Sequence, residues 1–288
     1  MDEFDYVIVG CGAAGSLLAA RLSEDQRVSV CVLEAGPKDR SPFIHIPAGF
    51  IKTLKDPGVT WQFSTEPTER TGGRRIATIQ GRTLGGSSSV NGMIYNRGQP
   101  NDLDHWAQRG NRGWSYEDCL PYYKRSERRI GQAGDTPDET RGTEGGMPVT
   151  DMDWFHPLSE AFIEGCVAQG IPRSKDYNNG NQAGVGYFQR IIENNRRVSA
   201  ARGRLRPAMA RKNLTVRANA RATSLLFEGM RCVGLHYAAA ADGPRTEIRA
   251  RREVILSAGT ANTARLLQIS GIGPAWLLEK LGVPFARA

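Results

Sequence analysis

The strongest constraint on this chain lies in its first 34 residues. Tyr6-Val7-Ile8-Val9 is a short β-branched run of the kind that forms a buried parallel strand. It runs into GCGAAG at Gly10–Gly15, and Leu17, Leu18, Ala20, Arg21 and Leu22 then give a helix with an apolar face. Val28–Leu33 reads as a second strand, closing on Glu34. A lone G-x-G-x-x-G recurs by chance. Here it follows a strand, opens a helix and is trailed by an acid roughly 20 residues on, the spacing of a dinucleotide-binding βαβ unit.

Each position has a chemical reason. Gly10 permits the tight turn, Gly12 lets a pyrophosphate approach the backbone, and Gly15 brings helix and strand together. Ala13 and Ala14 start the helix, whose N-terminus faces the anion. Glu34, followed by Ala35, accepts hydrogen bonds from ribose hydroxyls and would repel a 2′-phosphate, which argues against NADP. Cys11, inside the loop, reads as a small filler. NAD and FAD both use this unit. The chain, however, leaves the sheet directly after Glu34, and a second glycine loop, GRTLGGSSSVNGM (Gly81–Met93), comes only after a long excursion. A nucleotide fold assembled from distant segments favours the longer cofactor, FAD.

The rest of the chain divides coarsely. Residues 36–80, rich in Pro, Gly and Thr, read as an extended surface excursion. Residues 101–130 read as two helical pieces, capped at Asn101 and Ser115 and interrupted at Gly110–Gly113. The stretch 131–150 is the clearest loop or boundary, and Leu158–Gly170 has helical spacing. From Asn213 on, LTVRANA, ATSLLFEG, RCVGLHYAA and TEIRARREVILSAG read as short strands, with turns at Gly229 and Asp242-Gly243. Two helical pieces, ANTARLLQISGIGP and AWLLEKLGVP, follow.

Composition excludes several classes. The 288 residues are 40% hydrophobic and 24% charged, as in a globular chain. No apolar run approaches the roughly 18 residues of a membrane span. MDEFDYVIVG has no basic n-region, so the expected location is cytoplasmic, with peripheral membrane association allowed. The five cysteines form no CxxC pair and no histidine stands at ligand spacing from them, so free thiols and no metal site are expected. The net charge of +8 is spread through arginine-rich segments with few interleaved aromatics and no nucleic-acid motif. Nucleic acid is therefore not an expected partner.

Taken together, GRTLGGSSSVNGMIYNRG and GTANTARLLQISGIGP resemble the two signatures of the glucose-methanol-choline (GMC) oxidoreductase family. NDLDHWA, GWSYEDCLPYYKRSE, GVGYFQ, SAARGRLRPAM and NLTVRANA resemble intervening blocks in the same order, and the choline and alcohol dehydrogenase subgroup fits best. The resemblance implies an α/β fold: a Rossmann-like FAD-binding domain of the GMC type with part of an α+β substrate domain. The FAD-binding part would comprise 1–150, with its excursion at 36–80, and 213–288; the partial substrate domain would be 151–212. It further implies that Gly10, Gly12, Ala13, Ala14 and Gly15 hold the pyrophosphate and Glu34 and Ala35 the ribose. Arg82, Leu84, Gly85, Gly86 and Ser87 would follow the ribityl and phosphate side of the flavin. Asn91, Gly92, Met93 and Ile94 would line the isoalloxazine ring, Ala222 would contact adenine, and Ser257-Ala258-Gly259 would end a strand against the cofactor.

Two positions depart from the pattern. Val90 stands where some members attach flavin through a histidine, so the expected FAD is non-covalent. Ala264 stands where Pro or Ser is usual. The implied activity is oxidation of the CH–OH group of a small-molecule alcohol, choline-like or another primary alcohol, with hydride passing to flavin N5 and electrons to an unspecified acceptor. A homo-oligomer is compatible with the pattern. The family's catalytic histidine pair would fall beyond residue 288, and His45, His105, His156 and His236 read as packing or exposed residues. No catalytic residue is therefore expected within this chain. Two other readings stay open: a flavin-binding fragment without turnover, and a lyase or decarboxylase on the same fold.

Overall fold

The computed structural model describes residues 2–131, 139–240 and 243–285. Asp242 of the expected turn and residues 132–138 of the expected loop lie outside the described residues. The chain forms two compact units, Met1–Asn91 with Ser199–Ala288, and Gly92–Val198.

The first unit is built on a six-stranded sheet. Its strands are β1 (Asp2–Val9), β2 (Val30–Leu33), β9 (Leu214–Arg217), β10 (Arg221–Glu228), β11 (Arg231–Ala238) and β12 (Thr246–Leu256), in the spatial order β10-β11-β12-β1-β2-β9. The four strands β12, β1, β2 and β9 are parallel, and the meander β10-β11-β12 is antiparallel. The apolar C-terminal end of β1, Val7–Val9, and the fully apolar β2 sit in the middle because they are covered on both faces. On one side Ile8, Val30 and Val32 pack with Ala19 and Ala20 of the helix Ala13–Leu22. On the other, Val7, Val9, Cys31 and Leu33 meet Leu235, Ile248 and Leu266.

The segment 36–80 is more ordered than its composition suggests. It contains the short helices Pro42–His45 and Phe50–Thr53 and an antiparallel pair, β3 (Thr60–Ser64) with β4 (Ala77–Gly81). The pair was hidden because β3 and β4 are each five residues long and the polar stretch between them is far longer than a tight turn. Residues 199–208 also belong to this unit, since Ala201, Leu205 and Ala208 are buried in the core cluster beside the first helix.

Asp5 ties β1 to the start of the second strand segment. Its carboxylate accepts Ser29 N–H at 2.7 Å and Ser29 Oγ–H at 2.9 Å, and Arg251 Nη2–H at 3.1 Å. The Arg251 guanidinium, then the Ser29 N–H, hold its carboxyl well below the usual carboxylate range. A group whose folded pKa is depressed stabilises the fold above its unfolded pKa and loses that contribution as pH falls. Asp5→Asn is therefore expected to lower stability at neutral pH, and the gap to the unsubstituted chain should shrink below about pH 4. Urea unfolding at a series of pH values measures this; a gap that grows on acidification would contradict it.

The second unit holds the helices Pro100–Gln108, Tyr116–Ser126 and Pro157–Ala168. Ser115 caps the second of these, its Oγ accepting Asp118 N–H at 3.2 Å. The expected cap at Asn101 is displaced to Gln99, because Pro100 takes the first helical position. ERRI leaves the helical pattern and forms β5 (Glu127–Ile130), paired in parallel with β6 (Met147–Thr150). A small hairpin, β7 (Ile192–Glu193) with β8 (Arg196–Arg197), completes the strands of this unit among the described residues. The division of units at 91/92 and 198/199 differs from the sequence-based division at 150/151 and 212/213. Thr150 exchanges two backbone hydrogen bonds with Arg190, 2.9 and 2.8 Å, which joins the chain on either side of residue 150. No described helix is long and apolar enough to cross a membrane.

Candidate functional site

The turn between β1 and the first helix is packed to its limit. Gly10 has φ +93°, and a Cβ there would lie 2.5 Å from Ser257 O. A Cβ on Gly15 would lie 1.9 Å from Gly10 O, so helix and strand approach as closely as backbones allow. Gly12 differs. Its φ of −78° is ordinary, and its Cβ would meet nothing nearer than Gly86 Cα at 3.8 Å. The space that Gly12 preserves is empty of protein.

Glu34 follows β2 and is 5% exposed. Its Oε2 accepts Cys11 N–H and its Oε1 accepts Gly36 N–H, each at 2.9 Å. Burial raises its carboxyl above the usual value, opposed by those backbone N–H groups. Both oxygens are thereby aimed, and each keeps a lone pair for a further donor. Cys11 is fully buried, and burial pushes its thiol up to about 12, so it stays neutral and unreactive.

The second glycine loop docks on the first. Gly85 N–H donates to Cys11 O at 2.7 Å, and a Cβ on Gly86 would lie 2.8 Å from Gly12 Cα. Its serines are tied down: Ser87 Oγ–H donates to Gln80 Oε1 at 2.9 Å, and Ser88 Oγ accepts Ala200 N–H at 2.9 Å. Ser257 N–H donates to Val9 O at 2.8 Å, which sets the end of β12 beside the first turn.

These pieces surround a cavity of about 900 Å³. Gly10, Gly12, Ala13, Ala14, Glu34, Ala35, Gly86, Ser87, Ala222, Ser257, Ala258 and Gly259 all line it. Two helix N-termini open on it, at Ala13 and at Thr260, with glycine at both N-caps, no side-chain cap and no acid in either first turn. Such ends carry partial positive charge and unpaired N–H groups and favour an anion.

Other expected residues lie elsewhere. Gly15 sits behind the turn, and Leu84 is buried in the core cluster. Arg82, Gly85 and Asn91 belong to the same unit but do not line the cavity. Val90 is buried and offers no nucleophile. Gly92, Met93 and Ile94 belong to the second unit, where Met93 is buried with φ +63° and Ile94 is bridged to Arg190.

The cavity wall also includes residues that sequence reading missed. Trp61, Phe63, Thr78 and Gln80 come from the β3–β4 pair, Arg221 from β10, and Asn262 and Arg265 from the helix Thr260–Ile269. The alternation Trp61-Gln62-Phe63 was the available signal, since residues two apart share one strand face. The two rings stack, with centroids 5.8 Å apart.

The histidines are placed by local bonds. His45 Nε2 is 2.8 Å from Asp39 O, His156 Nδ1 accepts Leu158 N–H at 3.1 Å, and His236 Nδ1 is 3.3 Å from Ser224 Oγ. His105 lies exposed on the helix Pro100–Gln108.

Comparison with known proteins agrees with this architecture. The chain is 44% identical to the oxygen-dependent choline dehydrogenase of Brucella anthropi over 282 residues, covering 98% of this chain and 50% of the relative. A choline dehydrogenase of the same description from Pseudomonas fluorescens is also 44% identical, over 289 residues, with the same coverage. Among solved structures, pyridoxine 4-oxidase from Mesorbium loti superposes with a TM-score of 0.91 at 36% identity, covering 98% of this chain and 55% of that one. An FAD-dependent oxidoreductase from Chaetomium thermophilum gives 0.92 at 32% identity, covering 98% and 50%. The chain thus spans about half the length of the curated relatives it matches. The GMC oxidoreductase profile matches residues 4–282, the glycine turn, Glu34, the second glycine loop and the β-meander included, and the chain belongs to the GMC oxidoreductase family.

Proposed function

We propose that the cavity binds FAD non-covalently and that this chain is the dinucleotide-binding half of an oxidoreductase acting on the CH–OH group of a small alcohol. The observation that carries the reading is the convergence of two uncapped helix N-termini with Glu34 on one cavity. The cavity suits the group chemically. Gly12 leaves room where a pyrophosphate would approach, and the N–H groups of Ala13 and Ala14 would donate to it. The oriented Glu34 oxygens would accept from ribose hydroxyls, and Ala222 would lie against the base. When bound, FAD supplies acceptance of a hydride at its flavin ring.

Val90 carries no group able to bond a flavin, which supports non-covalent attachment. The histidines of this chain are committed to local bonds or lie exposed, so no base is assigned among them. Alcohol turnover is accordingly proposed for the whole protein, and the chain alone is expected to bind flavin without turning over. The choline dehydrogenases among its relatives and the pyridoxine oxidase among its structural neighbours support a small alcohol as the substrate class.

The purified chain is expected to show a flavin spectrum, and acid precipitation should leave all of the flavin in the supernatant. A colourless chain that FAD does not reconstitute would refute the cofactor reading. A yellow pellet would refute the non-covalent one.

A further inference from the structure

Residues 38–55, between β2 and β3, carry charge and apolar surface that the cavity does not use. Two four-residue helices, Pro42–His45 and Phe50–Thr53, are joined by the turn Pro47–Gly49. Backbone bonds fix this knuckle: Ile46 N–H donates to Pro42 O at 3.0 Å, and Gly49 N–H donates to Ile46 O at 2.8 Å. A Cβ on Gly49 would lie 2.4 Å from Phe43 O, so its two halves are packed tightly. Ile44 and Thr53 anchor it and are buried. Phe43, Ile46 and Ile51 are not, with 39%, 50% and 60% of their surface exposed.

Four cations stand on the same element. Lys38, Arg40, Lys52 and Lys55 are exposed, and among the described residues none of them forms an ion pair, whereas Arg206 is neutralised by the buried Asp39. Asp56, whose Oδ1 accepts Gly58 N–H at 2.8 Å, is the one exposed acid between residues 38 and 58. Lys52 Nζ lies 4.4 Å from the centroid of the Phe43 ring, so charge and apolar surface are interleaved. None of these residues lines the cofactor cavity.

Exposed apolar side chains gain by leaving water. Lysines and arginines beside them are drawn to anionic headgroups, and their apolar stems can follow into the interfacial layer while the charge stays at the phosphates. The knuckle presents protruding tips and free ammonium groups on a fixed backbone. A fluid, negatively charged bilayer surface accepts such tips without demanding a complementary shape, as a protein partner would.

We propose that the knuckle Pro42–Thr53, with Lys38, Arg40 and Lys55, is a docking surface for an anionic phospholipid bilayer. Phe43, Ile46 and Ile51 enter the headgroup layer, and the four cations meet the lipid phosphates.

Flotation of the purified chain with vesicles of phosphatidylcholine alone, and of phosphatidylcholine with about one-third phosphatidylglycerol, tests this. Binding to the anionic vesicles is expected to be at least about tenfold tighter than to the neutral ones and to weaken as salt is raised. Lys52→Glu/Lys55→Glu should abolish that preference, and Ile46→Ser/Ile51→Ser should weaken binding to the anionic vesicles about tenfold. All four side chains are exposed, so the unfolding midpoint should stay unchanged, and either folded double variant suffices to decide. Soluble polyglutamate separates a bilayer from an acidic protein. If it binds as tightly as the anionic vesicles and Ile46→Ser/Ile51→Ser leaves both affinities unchanged, the surface fits an acidic protein and the proposal falls. Absence of binding to the anionic vesicles, or binding that neither double variant weakens, also overturns it.

Discussion

Glu127→Ala is expected to lower the unfolding free energy by about 3–5 kcal/mol, the effect of stranding buried charges. Glu127 is fully buried in the second unit, and its Oε2 pairs with Arg97 while its Oε1 accepts Arg141 Nε–H at 2.8 Å. Arg97 and Arg141 are 4% and 5% exposed, so water cannot take over when the carboxylate is gone. The network continues through Asp176, which pairs with Arg141, and through Gln189, whose Oε1 accepts from Arg141 at 3.1 Å and from Asn178 Nδ2 at 2.8 Å. Glu127→Gln keeps the shape and one acceptor but removes the charge, and should fall between the two. Chemical denaturation followed by tryptophan fluorescence measures both, with Trp106, Trp114 and Trp154 reporting on this unit. A change below about 1 kcal/mol for the alanine variant, the size of an ordinary substitution, would show that the pairs contribute little.

The two loop glycines should fail in opposite ways. Gly12→Ala is expected to weaken flavin retention by at least about tenfold, roughly 1.4 kcal/mol, with the unfolding midpoint unchanged. Its methyl meets only Gly86 Cα at 3.8 Å, so the protein tolerates it, but it occupies space at the cavity wall where the pyrophosphate is proposed to lie. Gly15→Ala puts a methyl 1.9 Å from Gly10 O and should destabilise the fold by about 1–3 kcal/mol through overpacking. Flavin absorbance per chain and thermal unfolding separate the two outcomes. If Gly12→Ala retains flavin like the unsubstituted chain, the cradle is not where the pyrophosphate binds. A Gly15→Ala chain as stable as the original would show that helix and strand can separate at no cost.

The legible parts of this protein were those written in contiguous residues. Strand, glycine turn, helix and acid occupy 29 consecutive positions, from Tyr6 to Glu34, and their physics is local: chain reversal, a free helix N-terminus and a carboxylate at fixed spacing. The meander β10-β11-β12 was legible for the same reason, since its strands follow one another closely in sequence and carry alternating or apolar runs. The β3–β4 pair was not, because its partners are separated by a long polar connection that carries no periodic signal. With it went Trp61, Phe63, Thr78 and Gln80, and so one wall of the cavity.

Charge was read less well than shape. The segment KRSERRI and the loop around Arg141 look solvated, yet Glu127 and Arg141 are among the most buried side chains of the second unit. Burial of an arginine depends on an acceptor placed by a distant segment. Here residues 97, 127, 141 and 176 are brought together by β5–β6 pairing and by bonds to the backbone at Thr140 and Tyr95. Likewise, nothing in the neighbours of Arg82 and Arg221 in sequence says that they share one aromatic post, Trp61.

By itself, then, the amino-acid sequence determined that this chain builds a dinucleotide-type βαβ unit with a second glycine loop, and that it is of the GMC type. The tertiary structure alone decided which glycine packs and which faces open space, where the cavity wall runs, and which arginines are neutralised. The physical reason is range. Turn geometry and helix ends are set by residues next to one another, whereas room, burial and charge compensation are set by whatever the fold brings from far along the chain.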